Sequence, residues 1–289
     1  MGQAVVGSEA VASELVSRGH LRWNYRAIFP DVYIPKDAEP TMVDLARAAF
    51  LWSKRRGIIT GRAAAALHGA EWIDPTHPVE LLCANNRPPR GIITRRDRVG
   101  TDEVVVLAGI PVASPARTAF DLGRHLPRTQ ALAHLDALSR ATGITAAHVW
   151  PLALRYKGIR NIRQFRRVID LMDPGAQSPK ESWLRLLLID AGYPRPTTQI
   201  PVCNDWGEPF AYLDMGWEGP LIAVEYDGDE HRKDRSRYVW DERRLREVRR
   251  RGWLHVKVIA EDRPADILAR VAEAWAQRES EGVVVKQPA

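Results

Sequence analysis

The stretch AYLDMGWEGPLIAVEYDGDEH, residues 211–231, predicts two adjacent strands that present carboxylates. Asp214 belongs to the first strand, and Glu225 and Asp227 belong to the second. Because side chains alternate along a strand, Glu225 and Asp227 point the same way, and a partner strand carrying Asp214 adds a third oxygen ligand. Hard cations such as Mg²⁺ prefer oxygen ligands, and like charges packed this closely repel unless a cation or proton joins them. The stretch therefore predicts a Mg²⁺ (or Mn²⁺) site at the edge of a core.

The sequence around this stretch predicts a defined order of helices and strands. Ser178 and Pro179 supply a cap and a first-turn residue for a helix, and apolar periodicity defines the elements after it. We predict a helix over 180–191, strands near 198–203, 210–216 and 220–227, a helix over 234–251, a strand over 253–259 and a helix over 264–277. This αβββαβα order predicts an α/β fold class for the C-terminal part of the chain.

Several polar residues of this region match a family signature. They are Glu181, Asp214, Glu225, Asp227, Gly228, His231, Asp241 and Arg244. On these residues the segment from 178 to about 264 resembles the DUF559 family, relatives of the very-short-patch repair endonucleases in the PD-(D/E)XK superfamily. The resemblance implies a restriction-endonuclease-like domain in which Asp214, Glu225 and Asp227 hold the metal ion. Glu181 is either a distal metal ligand or a charge that suits the helix dipole.

One position departs from the superfamily pattern. The superfamily has a lysine two residues after the glutamate, whereas this chain has Asp227, an acid that the DUF559 pattern shares. His231 and Lys257 are the candidates for the lysine's role in positioning or activating water. We favour His231 because a neutral imidazole accepts a proton near neutral pH; the alternative is that it only hydrogen-bonds a carboxylate. We expect Lys257 on the face of its strand opposite His255 and Val256.

Basic residues are concentrated in two tracts. Residues 231–251 hold ten Lys or Arg and four Asp or Glu, an excess of six that equals the net charge of the chain. The tract predicts phosphate contacts, and its candidate DNA-binding residues are Arg244, Arg249, Arg250 and Arg251. In RYKGIRNIRQFRRVIDLM, residues 155–172, apolar residues at helical spacing predict one amphipathic helix with Arg163 and Arg167 outward, and these two are further candidate DNA-binding residues. The alternative for the tract at 231–251 is a solvated helix face.

The first 170 residues carry no recognisable catalytic constellation, but three motifs resemble another family. The motifs are FPDVYIP (29–35), ITGRAAAALHGA (59–70) and GIPVASPARTAFDLGR (109–124). They resemble an AbiEi-antitoxin-like, winged-helix-type region of the kind that precedes a DUF559 domain. The resemblance implies DNA as a partner and leaves open a toxin or another protein as a second partner.

Local patterns in this N-terminal part add two expectations. HLRWNYRAIFPDVYIP, residues 20–35, predicts a hairpin or wing in which Arg22, Trp23, Tyr25 and Arg26 interleave basic and aromatic groups that contact DNA. Further on, Arg117 and Asp121 lie four residues apart on a helix capped by Ser114, so we expect an ion pair.

Breaks in composition suggest four parts. DPGAQSP, residues 173–179, interrupts any helix with two prolines and a glycine. We predict a winged-helix-like DNA-binding or regulatory region (1–78), a mixed α+β middle region ending in a basic helix (79–173), an endonuclease-like domain (178–277) and a tail (278–289).

Composition narrows the function classes. No run approaches the roughly twenty apolar residues of a membrane helix, and the first residues lack a leader pattern, so we expect a cytoplasmic protein. Two cysteines are too few for a four-thiolate zinc site.

Two functions fit the sequence. The first is a metal-dependent DNA endonuclease or nickase that hydrolyses phosphodiester bonds and carries an N-terminal DNA-binding or regulatory module. The alternative is a non-catalytic DNA-binding regulator of the antitoxin type with an inactive nuclease-like domain. The missing lysine favours the second function, and the acid cluster favours the first. An RNA-directed nuclease stays open.

Overall fold

The computed structural model describes residues 4–84, 87–228 and 235–283. The chain divides into two compact units, Met1–Met172 and Asp173–Ala289. Within the described ranges, no helix is long and apolar enough to span a bilayer. His231 lies outside these ranges, so the role predicted for it is not tested.

The first unit begins with a small three-stranded sheet. The sheet and the two short helices beside it in sequence are β1 (Val5–Val6), α1 (Gly7–Ala12), α2 (Arg18–Asn24), β2 (Tyr25–Phe29) and β3 (Val32–Pro35). The central strand β3 pairs antiparallel with both neighbours. The predicted hairpin over 20–35 occupies only 25–35, because the Ser17 side chain accepts the backbone N–H of His20 and caps α2.

A five-stranded sheet and six α-helices form the rest of the described part of this unit. They are α3 (Met42–Trp52), β4 (Ile58–Thr60), α4 (Gly61–Leu67), β5 (Val79–Leu82), β6 (Ile92–Arg95), β7 (Val104–Leu107), β8 (Ile110–Ala113), α5 (Pro115–His125), α6 (Arg128–Thr142), α7 (Ala146–Arg155) and α8 (Ile162–Arg166). The strand order is β6-β5-β4-β8-β7, and β4 pairs antiparallel with β5. The predicted boundary between 78 and 79 does not divide the structure, because it would separate paired strands that share one core.

The single amphipathic helix predicted for 155–172 is wrong. Gly158 and Asn161 adopt left-handed φ angles of 78° and 64°, which end one helix and delay the next. The α-helical part is therefore only the short α8. The predicted division of faces is present all the same, since Phe165 is buried and both Arg163 and Arg167 are exposed.

The second unit is an α/β domain with one four-stranded sheet. Its elements are α9 (Pro179–Asp190), β9 (Thr197–Cys203), β10 (Pro209–Trp217), β11 (Ile222–Asp227), α10 (Arg235–Arg250), β12 (Leu254–Ile259) and α11 (Pro264–Ser280). The strand order is β12-β11-β10-β9, and only β11 and β12 are parallel. Val224 packs with Leu184 of α9 and Val271 of α11, whereas its neighbour Ala223 packs with Val248 of α10. The observed αβββαβα order matches the predicted one, and the α/β fold class is confirmed.

Candidate functional site

Three neighbouring elements of the second unit bring four acidic side chains to one region. Asp214 lies on β10, Glu225 and Asp227 lie on β11, and Glu181 lies in the first turn of α9. The Asp214 carboxylate accepts the backbone N–H of Tyr226 at 3.0 Å, which fastens β10 to the end of β11. This group is called the acid cluster below.

Glu181 takes part in the start of α9. The hydroxyl of Ser178 accepts the Glu181 backbone N–H at 3.2 Å, and the Glu181 carboxylate accepts the backbone N–H of Gln177 at 2.8 Å. Its side chain is buried, and its charge suits the positive end of the helix dipole. These contacts give Glu181 a structural role, and its role as a distal metal ligand stays a prediction.

The acid cluster holds a strongly perturbed carboxyl group. Burial, followed by the negative charges of Glu181 and Glu225, raises the pKa of Asp214 to about 8. Burial also pushes the pKa of Glu225 upward, but His255 and Arg244 together hold it below its ordinary value. At neutral pH, Asp214 therefore keeps its proton beside an ionised Glu225.

Basic side chains hold the two acids of β11. Both oxygens of Glu225 accept hydrogen bonds from the guanidinium of Arg244, at 3.1 and 3.3 Å. One of these oxygens also contacts the imidazole of His255. The ammonium of Lys257 lies 2.5 Å from the Asp227 carboxylate. Glu225 is thus held by a guanidinium and an imidazole, and Asp227 is held by an ammonium group.

Lys257 and His255 lie on the same side of the sheet, so the placement predicted for Lys257 is wrong relative to His255, whereas Val256 is buried on the other side as predicted. They are two residues apart on β12, and they contact acids that are two residues apart on the parallel strand β11. Residues separated by two positions share a face of a strand. His255 was not predicted as a site residue, and the shared alternation of VEYD and LHVKVI is the signal that would have found it.

The acid cluster is not the most compact set of potential metal ligands. Among the described residues, one group of three His, Cys, Asp or Glu side chains has ligand atoms all within 4.8 Å of one another, namely Asp97, Asp121 and His125 of the first unit. The predicted metal ligands Asp214, Glu225 and Asp227 do not meet that distance. Their role as ligands stays a prediction.

The predicted phosphate-binding arginines of the second unit differ in their surroundings. Arg249 and Arg250 are exposed in the last turn of α10, and Arg250 lies 3.4 Å from Glu247. Arg251 pairs with Asp205 at 2.9 Å and with Glu247 at 3.4 Å. A phosphate would have to displace carboxylates from Arg251, whereas Arg249 is directly accessible.

The first unit contains a buried ion network. Arg117 pairs with Asp121 at 2.9 Å, as predicted, and with Glu103 at 2.6 Å. Arg124 pairs with Asp97 at 2.8 Å and with Asp121 at 3.4 Å. Both arginines are almost completely buried. The sequence predicted the pair of Arg117 and Asp121. The pair of Arg124 and Asp121 is also local, at a spacing of three on the same helix, whereas Asp97 and Glu103 come from segments outside that helix.

Comparison with known proteins finds a family model that the middle of the chain matches. Residues 57–173 match the AbiEi antitoxin C-terminal domain, a range that contains two of the three N-terminal motifs and the whole ion network. Two uncharacterized proteins of Mycobacterium tuberculosis, from strains CDC 1551 and H37Rv, are each 30% identical to the chain over 214 residues. The match covers 72% of this chain and 78% of each relative. No solved structure matches. The chain belongs to the family of these mycobacterial proteins, and its middle part is similar to the AbiEi antitoxin C-terminal domain.

Proposed function

We propose that the chain is a DNA-binding regulator of the antitoxin type. The observation that carries the proposal is the match of residues 57–173 to the AbiEi antitoxin C-terminal domain. A regulator of this type acts by binding DNA and by binding a partner toxin. Neither step needs a catalytic group, and both suit a protein of the cytoplasm.

The exposed arginines of α8 and the segment before and after it give the first unit a surface for phosphates. Arg160, Arg163, Arg166 and Arg167 are all exposed, and the buried side chains of Phe165 and Val168 anchor the same segment. Arginines on a fixed backbone bind phosphates without reading sequence, and each contact makes binding more salt-dependent. This surface would supply the part of the DNA affinity that does not depend on sequence.

Duplex DNA titrated with the full chain, in the presence of a chelator and at several salt concentrations, tests the proposal. We expect binding without metal and a linear fall of log affinity with log salt concentration. The double substitution Arg163→Gln and Arg167→Gln should reduce the slope by up to about two contacts' worth. A chain that binds no duplex at any salt concentration would reject the proposed function. The double substitution Arg55→Gln and Arg263→Gln is a matched control for charge, because Arg55 already pairs with Glu9 and Arg263 already pairs with Asp266.

A second candidate function is the metal-dependent endonuclease or nickase, and the acid cluster is the observation that favours it. Burial, followed by the charges of the neighbouring carboxylates, raises the pKa of Asp214, as expected where a cation or a proton is required. Their oxygen donors fit Mg²⁺ or Mn²⁺ in type and charge. Asp214, with Glu225 or Asp227, would hold the ion, which supplies Lewis-acid chemistry at a phosphodiester.

The side chains around the acid cluster would divide the remaining work. Arg244 and His255 fix the Glu225 carboxylate, and Lys257 places a positive charge beside Asp227. Lys257 therefore becomes the stronger candidate for the missing lysine, while His231 stays the original one. In this arrangement Lys257 would hold a phosphate or a water molecule next to the acids.

Supercoiled plasmid incubated with the full chain, with Mg²⁺, Mn²⁺ or chelator, tests the second candidate. The endonuclease candidate predicts metal-dependent nicking that Asp214→Asn and Glu225→Gln each abolish and that Arg249→Gln leaves in place. Plasmid that stays intact with both metals would remove this candidate and leave the regulator as the function of the chain. Nicking that survives both acid substitutions would place the chemistry elsewhere.

A further inference from the structure

The helix α2 has an unusual surface for a short helix of a folded domain. None of its seven residues is buried, and Trp23 is 74% exposed. A helix that buries none of its residues contributes little to a core, and large aromatic side chains are costly to leave in water. The α2 segment precedes the range that matches the AbiEi domain, so that match assigns no role to it.

Trp23 lines an open groove between α2 and the hairpin of β2 and β3. The groove has a volume of about 440 Å³ and is lined by His20, Trp23, Asn24, Tyr25, Pro35, Lys36 and Asp37. The rings of His20 and Tyr25 lie 5.9 Å apart at an angle of 56°. Three of the seven lining side chains thus carry flat aromatic rings, which suit a flat, unsaturated ligand.

Backbone hydrogen bonds and strand pairing hold the groove in shape. Tyr25 pairs with Pro35 across β2 and β3, and the backbone N–H of Lys36 donates to the carbonyl of Asn24 at 2.9 Å. The Asn24 amide lies 3.2 Å from the His20 ring nitrogen. The backbone on both sides is thus held in place before any ligand enters, which lowers the entropic cost of binding.

The charges around the groove select an anionic ligand. Arg18 and Arg22 are exposed on α2, and Lys36 lies on the opposite wall. One acid, Asp37, also lines the groove. Aromatic faces beside basic side chains are how single-stranded nucleic acids are bound, with bases on the rings and phosphates on the cations. In a duplex the base faces are already stacked and are closed to such rings.

We propose that the groove at Trp23 binds an unpaired nucleobase of single-stranded nucleic acid, with Arg22 and Lys36 contacting the flanking phosphates. The inference rests on the proposed function, because it specifies one form of nucleic acid that the DNA-binding chain holds. A regulator with this groove would hold an opened or looped strand in addition to duplex DNA.

Binding of a fluorescein-labelled oligothymidylate and of a duplex of equal length, measured with the full chain, tests the inference. Trp23→Ala should weaken single-strand binding roughly 5- to 100-fold, the range expected for one lost stacking contact, and leave duplex binding unchanged. Trp23→Phe should restore most of the loss, because phenylalanine also stacks. Trp206→Ala is the control, since Trp206 is 84% exposed in the second unit.

Three results would overturn the inference. The first is a wild-type chain that binds duplex but no single strand, which leaves the proposed function intact. The second is an unchanged single-strand affinity in Trp23→Ala, above all if that variant instead loses self-association in size-exclusion chromatography and so identifies a protein-docking surface. The third is a wild-type chain that binds neither form, which rejects the proposed function as well.

Discussion

The ion network of the first unit and the acid cluster of the second unit both bury several charges, but they balance them differently. In the ion network, Asp97 and Asp121 face the guanidinium groups of Arg117 and Arg124. In the acid cluster, the negative charges of neighbouring acids outweigh the positive charge of Arg244 at Asp214. The first arrangement is typical of a structural network, whereas the second needs a proton or a cation.

The comparison shows why compactness alone does not identify a metal site. Asp97, Asp121 and His125 bring their ligand atoms closest together. Their carboxylates are already bound by Arg117 and Arg124, so a metal ion would have to displace buried guanidinium groups. At Asp214, burial and the neighbouring acids outweigh the hydrogen bond from Tyr226 and the charge of Arg244, so its pKa is raised. Cation binding is therefore expected at the looser set of acids.

The largest expected effect comes from breaking the balance of the ion network. Asp121→Asn leaves Arg117 and Arg124 buried without their shared carboxylate and should lower the free energy of unfolding by about 3–5 kcal/mol. The measurement is urea unfolding at neutral pH. Glu9→Gln removes a partner from an exposed pair with Arg55 and should be indistinguishable from wild type. Equal effects of the two substitutions would contradict the structural role of the network.

The substitution Asp214→Asn is expected to raise the free energy of unfolding relative to wild type as pH increases. The folded chain keeps a proton on Asp214 up to about pH 8, whereas the unfolded chain releases it near pH 4. Wild-type stability therefore falls between these values as pH rises, by up to about 1.4 kcal/mol per pH unit from this group alone. Asp214→Asn lacks this loss, so its stability relative to wild type should grow by about 2 kcal/mol or more between pH 4 and pH 9.

The pH series can also contradict this account. If Asp214→Asn destabilises the chain equally at pH 4 and at pH 9, Asp214 is ionised and well paired in the folded state. The acid cluster would then be balanced like the ion network, and the contrast between the two units would disappear.

Metal addition should also distinguish the acid cluster from the ion network, with a smaller effect on the free energy of unfolding. Mn²⁺ at ten times its dissociation constant should stabilise the wild-type chain by about 1.4 kcal/mol, seen as a rise in Tm at pH 8. Asp214→Asn should lose this rise, whereas Asp97→Asn should keep it relative to its own baseline. Loss of the rise only in Asp97→Asn would assign the ion to the compact group of the first unit.

The smallest expected effect separates accessible from paired arginines on the surface of the second unit. Arg249→Gln should reduce the slope of log DNA affinity against log salt concentration by about 0.9. Arg251→Gln should change the slope less, because Arg251 already has Asp205 and Glu247 as partners. Fluorescence anisotropy across a salt series measures both slopes. Identical slopes for wild type and Arg249→Gln would indicate that Arg249 lies on a solvated face of α10 and makes no phosphate contact.

The fold of the second unit could be predicted from sequence because its signals are local. Apolar alternation, the Ser178 cap and the proline and glycine breaks mark each element within its own segment. The helix predicted for 155–172 failed because spacing alone ignores the left-handed residues Gly158 and Asn161. The boundary at 78/79 failed because the pairing of β4 with β5 joins segments separated by a loop and a helix.

The sites were harder to predict because their contacts are not local. Alternation placed Glu225 and Asp227 together, and helical spacing found the pair of Arg117 and Asp121. The contact of His255 with Glu225 depends on the parallel register of β11 and β12, which a single strand does not reveal. The groove at Trp23 depends on a helix that the hairpin pattern concealed.

The measurement that tests the central claim most directly is selection of genomic DNA fragments by the immobilised full chain, with chelator present throughout. A DNA-binding regulator should enrich a small set of fragments over random-sequence DNA, without cutting them, and Arg163→Gln with Arg167→Gln should reduce their recovery. Recovery no higher than that of random-sequence DNA would contradict the account of the chain as a DNA-binding regulator.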